Sequence, residues 1–123
     1  MAFPHSRPTV LADWPALGGR CRSLQTHLAA LRNSTDAAFA RQFPAAVAAV
    51  EALFRHEEAL LDQHGDACLH ACLADHALIL CALHRIAARV ERGDVAPGRR
   101  VVDALDAMLT MPAVAPPLRA RGA

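Results

Sequence analysis

Three side chains near the middle of the chain have the types and the spacing of metal ligands. In the stretch LFRHEEALLDQHGDACLHACLADH, residues 53–76, Glu57 interrupts one helical apolar stripe, and Cys72 and His76 stand one turn apart in the next. A buried, isolated charge costs several kcal/mol, so buried groups of this kind are paired or bound to a metal. Together a carboxylate, a thiolate and an imidazole suit Zn²⁺ or another borderline-soft ion. The pattern therefore predicts either a bound metal or a closed hydrogen-bond network at Glu57, Cys72 and His76.

Other residues could complete or surround this site. His27 lies on the apolar stripe of the first predicted helix and could be a further ligand, and Met111 could supply a fourth contact. His64 lies two turns after Glu57, at a helix end, where it could line the mouth of the site. A metal-free alternative stays open, in which Glu57 and His76 form an ion pair and Cys72 is a small core side chain.

Several nearby residues are expected to take no part in the site. We expect His56 to be solvated because it points about 100° away from Glu57 on the same helix. Glu58 and Asp75 are also expected to face solvent, whereas Cys21 and Cys81 are expected to fill the core. Haem attachment is not favoured, since the chain has no C-x-x-C-H sequence.

Helical periodicity supplies the elements that would position these groups. Apolar residues recur every three or four positions over four segments, and Asn33-Ser34-Thr35-Asp36, Gly65 and Pro112 mark helix ends. The expected helices span residues 15–32, 36–63, 67–91 and 98–111. Short connections favour an all-α, up-down-up-down four-helix bundle over residues 15–111. We expect an extended arm over residues 1–14, which Trp14 could anchor, and a flexible tail over residues 112–123.

Composition narrows the classes of function. The chain has 123 residues, a net charge of +1, 54% hydrophobic residues and 4% aromatic residues. Because the charges are interspersed, nucleic acid is not an expected partner. We see no uninterrupted apolar run long enough to span a membrane and no signal sequence, so the predicted location is cytoplasmic, with reduced cysteines. No nucleophile–base–orienter triad is evident, so we do not predict an enzyme.

The same residues resemble hemerythrin, in particular the bacterial hemerythrin-like domains, over about residues 14–111. Trp14 matches the family's N-terminal arm, and His27 falls near the ligand of the first helix. Leu53-Phe54-Arg55-His56-Glu57-Glu58 aligns with the family's His-Phe-x-x-Glu-Glu, and Cys72-x-x-x-His76 aligns with His-x-x-x-His. The resemblance implies a four-helix bundle with a non-haem di-iron centre that binds O₂.

The ligand set departs from that family pattern. Leu53 and Cys72 replace two histidines, and the ligands of the last helix would fall near Pro112 and Pro117. In the family the bridging Glu and the third-helix pair serve one iron, and the first-helix His serves the other. The resemblance therefore implies one retained metal position, formed by Glu57, Cys72 and His76, and a second position reduced to His27.

Three functions follow from these observations. The first is a non-enzymatic hemerythrin-like protein that binds one metal ion (Zn or Fe) or a small ligand, for sensing or storage. The second is a metal-free bundle that serves as an interaction module, with Leu53 and Cys72 filling the former cavity. The third is a complete di-iron oxygen carrier that draws its remaining ligands from residues such as His64 or Asp106.

Overall fold

Four α-helices make up the described chain. The computed structural model describes the backbone of residues 3–110 and the side chains of residues 14–110. Within that range there is no strand, which confirms the predicted all-α class. The predicted up-down-up-down topology, in which successive helices run in opposite directions, stays a prediction. The helices are α1 (Phe3–Arg32), α2 (Asp36–His64), α3 (Leu69–Glu91) and α4 (Ala96–Leu109).

The first helix is longer than the sequence predicts. The extended arm expected over residues 1–14 is a wrong prediction from Phe3 onward, because α1 begins there. Pro4 falls in the first turn, where its missing N–H would have no helical partner and where its fixed φ suits a helix. A proline near the N-terminus therefore does not show that this segment is extended. Met111 and the tail predicted over residues 112–123 lie outside the described residues.

The ends of α2 follow the predicted capping chemistry. The Thr35 side chain accepts a hydrogen bond from the Ala38 backbone N–H at 3.2 Å, which caps the first turn. At the other end Gly65 adopts φ 64° and ψ 33°, the left-handed conformation that suits glycine, and its N–H donates to the Asp62 carbonyl. Pro44 lies within α2. This proline does not end the helix, which continues from Asp36 through the site residues to His64.

Each helix packs against two others. α1 contacts α2 and α4, and α3 also contacts α2 and α4, so the four surround one core. α2 supplies most of this core, whereas α3 buries only three residues. Because α4 has 14 residues and α3 has 23, α4 can cover only part of the length of α3. The largest fully buried side chains are Phe39, Phe43, Leu28, Leu31, Leu60, Leu83, Val50, Val90 and Val102.

Arginine pairs tie α4 to the first two helices. Arg32 of α1 donates to Asp103 at 2.9 Å and to Asp106 at 3.1 Å. Arg99 of α4 donates to the Asp36 carboxylate and to the Ser34 carbonyl, each at 2.8 Å. Exposed pairs of this kind contribute little each, about 0–1 kcal/mol, but they set the position of α4.

Two helices pass a length and composition test for membrane spans. α2 and α3 each contain an 18-residue apolar window with few charges, a feature that the search for uninterrupted apolar runs missed. The interior of the fold buries 39% of that window in α2 and 11% in α3. Core helices of soluble proteins pass the same test, so the finding is weak evidence. The cytoplasmic location stays a prediction.

Gly98 gives a sharp test of the packing of α4 on the core. A Cβ added there would lie 2.7 Å from Val90 Cγ2 and 2.8 Å from Phe39 Cε1, both buried. We expect Gly98→Ala to lower the free energy of unfolding by about 1–3 kcal/mol through overpacking. Gly18→Ala is the matched control: its Cβ meets nothing closer than 3.6 Å, so helix propensity should raise stability by up to about 1 kcal/mol. Urea unfolding of both variants checks this, and equal effects at the two sites would contradict the packing of Gly98.

Candidate metal centre

Helices α2 and α3 bring the three predicted ligands together. One ligand atom from each of Glu57, Cys72 and His76 lies within 4.8 Å of the other two. His76 Nε2 is 3.2 Å from Glu57 Oε1, and Cys72 Sγ is 3.4 Å from His76 Nε2. Cys72 and His76 share a face of α3 because four residues make about one turn. Glu57 reaches them from the neighbouring helix.

An aromatic ring fixes the plane of the His76 imidazole. Phe54 lies one turn before Glu57 on α2, and its ring stacks on the His76 ring with 3.8 Å between centroids and 3° between planes. Both residues are buried, His76 to 7% exposure. With rotation of the ring restricted, the directions of its two nitrogens are set by the fold.

Glu58 is the partner of His76 that sequence reasoning missed. It was expected to be solvated, and this prediction was wrong: its Oε2 lies 2.6 Å from His76 Nδ1, and its side chain is 23% exposed. Consecutive helical residues point about 100° apart, so an imidazole facing the border between Glu57 and Glu58 can meet both carboxylates. The doubled glutamate at positions 57 and 58 was the available signal.

The distances fit the edges of a tetrahedral zinc site. Zn–N, Zn–O and Zn–S bonds of about 2.0–2.3 Å imply edges of about 3.4 Å between nitrogen and oxygen and about 3.6 Å between nitrogen and sulfur. The corresponding separations here are 3.2 Å for His76 Nε2 to Glu57 and 3.4 Å for His76 Nε2 to Cys72. The third pair, Glu57 and Cys72, lies within 4.8 Å, and would have to approach to about 3.6 Å to coordinate one ion.

A metal-free network also fits these contacts. A protonated His76 ring could donate one N–H to Glu57 and the other to Glu58, at 3.2 and 2.6 Å. In that arrangement Cys72 is only a neighbour of the ring, 3.4 Å from Nε2 and 3.7 Å from Nδ1. The metal-bound and metal-free states therefore differ in the role of Cys72: its sulfur is a ligand in the first and makes no required contact in the second.

The Cys72 thiol is held in its protonated form when no cation is bound. Burial is the largest cause, and together with the negative charges of Glu57, Glu58 and Asp75 it raises the pKa of this thiol to about 12. A ligating cation would have to displace that proton, as thiolate coordination requires. The same cation would offset the carboxylate charge that surrounds the sulfur.

The remaining predicted ligands lie elsewhere. His27 is outside the three-residue group and lines an open groove of about 550 Å³ between α1 and α2, together with Arg20 and Ala52. His64 accepts a hydrogen bond from Trp14 Nε1 at 3.1 Å and is exposed at the end of α2. Trp14 thus anchors the first helix rather than an arm.

Asp106 serves the packing of α4. It accepts from Arg32, so its carboxylate is part of the ion pair between α1 and α4. Neither Asp106 nor His64 belongs to the three-residue group found among the described side chains. Met111 lies beyond them.

Of the two cysteines expected to fill the core, Cys21 packs against it, whereas Cys81 is exposed and that prediction was wrong. Cys21 and His56 both lie near the centre. Cys21 of α1 is half-buried, and its pKa is raised first by burial and then by the charge of Glu57, which places this thiol on the α1 side of the group. His56 was expected to be solvated, and this prediction was wrong: the ring is half-buried, and its Nδ1 is shielded without a partner among the described residues. Neither signal is readable from helical spacing alone.

Comparisons with protein-family models, with curated proteins and with solved structures found no match to this chain. The chemistry assigned to the three-residue group therefore rests on its geometry.

The raised pKa of Cys72 predicts slow alkylation with an unusual pH dependence. At pH 8 a thiol of pKa about 12 holds about a thousandfold less thiolate than an ordinary cysteine, and higher intrinsic nucleophilicity recovers only part of this, leaving a rate about 30-fold lower. A chelator-treated variant that keeps Cys72 as its single cysteine would show this with iodoacetamide, against an unstructured peptide thiol. The rate should keep rising through pH 10, and a plateau below pH 9.5 would contradict the shift. Glu57→Gln should speed the reaction by removing one of the charges.

Proposed function

We propose that this protein binds a single metal ion at Glu57, Cys72 and His76, in a four-helix bundle of the hemerythrin kind, and that it acts in metal sensing or storage without catalysis. The observation that carries the proposal is that the two ring nitrogens of His76 have different partners. Nδ1 is held by Glu58 at 2.6 Å, while Glu57 and Cys72 both lie within 3.4 Å of Nε2.

The contact to Glu58 supports a ligand role for the other ring nitrogen. A metal-binding histidine commonly donates its free ring N–H to a carboxylate, which fixes the tautomer and raises the basicity of the ligating nitrogen. If Nδ1 carries the proton donated to Glu58, the lone pair of Nε2 points toward Glu57 and Cys72. Three donors then face one point.

The positions of the other candidates favour one metal over two. A second ion would need donors from α1 and α4, where His27 faces a groove and Asp106 pairs with Arg32. A carboxylate, a thiolate and an imidazole suit Zn²⁺, and Fe²⁺ is the second choice. Three protein donors leave a fourth position for water or a small ligand.

Bound metal would join two helices that the chain connects only through residues 65–68. Because the ligands come from both α2 and α3, an ion that binds the folded protein would stabilise the pairing of these helices. The concentration of the metal would thus determine how stably α2 and α3 are paired. This link between occupancy and conformation is what a sensing role requires.

The direct test is metal binding by the purified protein and three variants. We expect one equivalent of Zn²⁺ or Fe²⁺ by elemental analysis after loading and desalting. Glu57→Gln, Cys72→Ser and His76→Ala should each lower the affinity at least about tenfold, because each removes one of three donors. His27→Ala and His64→Ala are the matched controls and should bind as the parent protein does. Circular dichroism checks that every variant is folded.

The pH dependence and the spectrum separate the alternatives. Because Cys72 must lose its proton, zinc affinity should rise with pH by up to about tenfold per unit, and Cys72→Ser should remove that component. Near-UV charge-transfer bands after aerobic iron loading, with two irons per chain, would show an oxo-bridged di-iron centre instead. Stoichiometry near zero after adding either metal would leave only the metal-free network.

Glu58→Gln tests the orienting contact separately. The amide keeps the size of the side chain but loses the charge that holds the Nδ1 proton, so metal affinity should fall by about 10–100-fold while the stoichiometry stays at one. Glu51→Gln is the control, since Glu51 makes a similar 2.8 Å contact with exposed His84 far along α2 from the centre. Isothermal titration with Zn²⁺ measures both, and equal affinities would rule out the orienting role.

A further inference from the structure

The outer face of α3 is apolar and uncovered. Leu78, at the centre of this face, is 72% exposed; the other large hydrophobic residue that the described chain leaves in solvent, Leu73 at 40%, lies on a different side of the helix. Between His70 and His84 the one charged residue of this helix is Asp75. The other exposed positions in that interval are apolar or cysteine: Ala71, Ala74, Ala77, Cys81 and Ala82.

Coverage explains why this face is left free. Only 11% of the apolar window of α3 is buried, against 39% for the window of α2. α3 contacts α2 and α4 through its inner side, so neither of these helices covers the outer one. Contiguous exposed apolar patches mark protein–protein or membrane interaction sites.

The exposed residues have the spacing of a helix-pairing seam. Asp75, Leu78, Ala82 and Arg85 follow one another at intervals of three, four and three residues, so they form one line along α3. All four are exposed. The small side chain of Ala82 would let a second helix approach closely, and Leu78 would supply the apolar contact.

The seam is complementary to itself when two copies run antiparallel. In that arrangement position i of one helix meets position 160 − i of the other. Asp75 then meets Arg85 of a second copy, twice by symmetry, and each Leu78 meets Ala82. The pairing places opposite charges at both ends and the two leucines in the middle, the self-matching pattern that a two-fold interface requires.

We propose that a second copy of this chain covers the outer face of α3, forming an antiparallel two-fold dimer through Asp75, Leu78, Ala82 and Arg85. The seam is distinct from the metal centre: Leu78 and His76 are two residues apart, so their side chains point about 160° from each other. The dimer therefore does not depend on the proposed metal, and His76→Ala should leave it intact.

Sedimentation velocity over a range of protein concentrations tests the association. We expect a reversible dimer whose dissociation constant rises about tenfold or more in Leu78→Glu, because the charge would be buried opposite Ala82. Leu73→Glu is the matched control: Leu73 is the other exposed leucine, but it points about 140° away from Leu78 around the helix. Its dimer should persist. A monomer at every concentration, or equal effects of the two substitutions, would overturn the proposal.

A charge exchange tests the register. Asp75→Arg would set arginine against arginine at both ends, and Arg85→Asp would set aspartate against aspartate, so each should weaken the dimer. The double variant restores two opposite pairs and should recover the affinity of the parent. Failure of the double variant to recover, with both singles folded by circular dichroism, contradicts the pairing.

Cysteine positions distinguish antiparallel from parallel pairing. In the antiparallel register the two Cys81 residues are offset by only two positions, about 3 Å along the axis, whereas the two Cys68 residues are offset by 24 positions, about 36 Å. A short bis-maleimide should link two chains through Cys81, and Cys81→Ser should abolish the product while Cys68→Ser leaves it. Linkage through Cys68 would overturn the antiparallel seam. Monomer that instead floats with lipid vesicles, and loses this in Leu78→Glu, would assign the face to a membrane and overturn the dimer.

Discussion

The candidate centre depends on how the His76 imidazole is held. Phe54 fixes the plane of the ring and Glu58 occupies Nδ1, so Nε2 is directed to the place where Glu57 and Cys72 meet. Without the stack the ring could turn about its own axis, and without Glu58 either nitrogen could carry the proton. The fold therefore decides which nitrogen is available. Because the donors come from only two helices, the packing of α3 against α2 is the constraint on which the site rests.

This arrangement concentrates negative charge beside a buried ring, although Glu57, expected to be buried, has a side chain that is 36% exposed. Two carboxylates flank one ring, and the pKa of Cys72 is raised first by burial and then by the charges of these carboxylates. A protonated imidazole can offset one of those charges, whereas a divalent cation can offset two and can also make use of the sulfur. The metal-free network accounts for the two glutamates and leaves Cys72 without a role. Coordination accounts for all four side chains.

The sequence predicts features that depend on spacing within one helix, but it does not predict the detailed contacts between helices. Cys72 and His76 are fixed relative to each other by the helical period, and Thr35 and Gly65 by capping chemistry, so these features were accessible. The Glu58 contact depends on how α2 is rotated against α3, which is set by packing across the whole core. The early start of α1 escaped prediction because proline in a first turn resembles proline in coil. His27 shares the apolar stripe of α1, but it lies at the edge of the core, in a groove.

The third helix shows why apolar periodicity alone does not reveal burial. Its inward residues repeat cleanly, and the sequence rightly predicts a helix with a core-facing stripe. Its outer residues are also apolar, but they stay exposed because α2 and α4, the helices that pack against α3, lie on its inner side. One helix thus carries two surfaces of different chemistry: donors that face α2 on the inside, and leucine, alanine and a matched pair of charges on the outside. Because nearly half a turn separates His76 from Leu78, a substitution at either residue can remove one surface without touching the other, whereas the charge of Asp75 also acts on Cys72. The helix can then serve a ligand and a neighbouring chain at once.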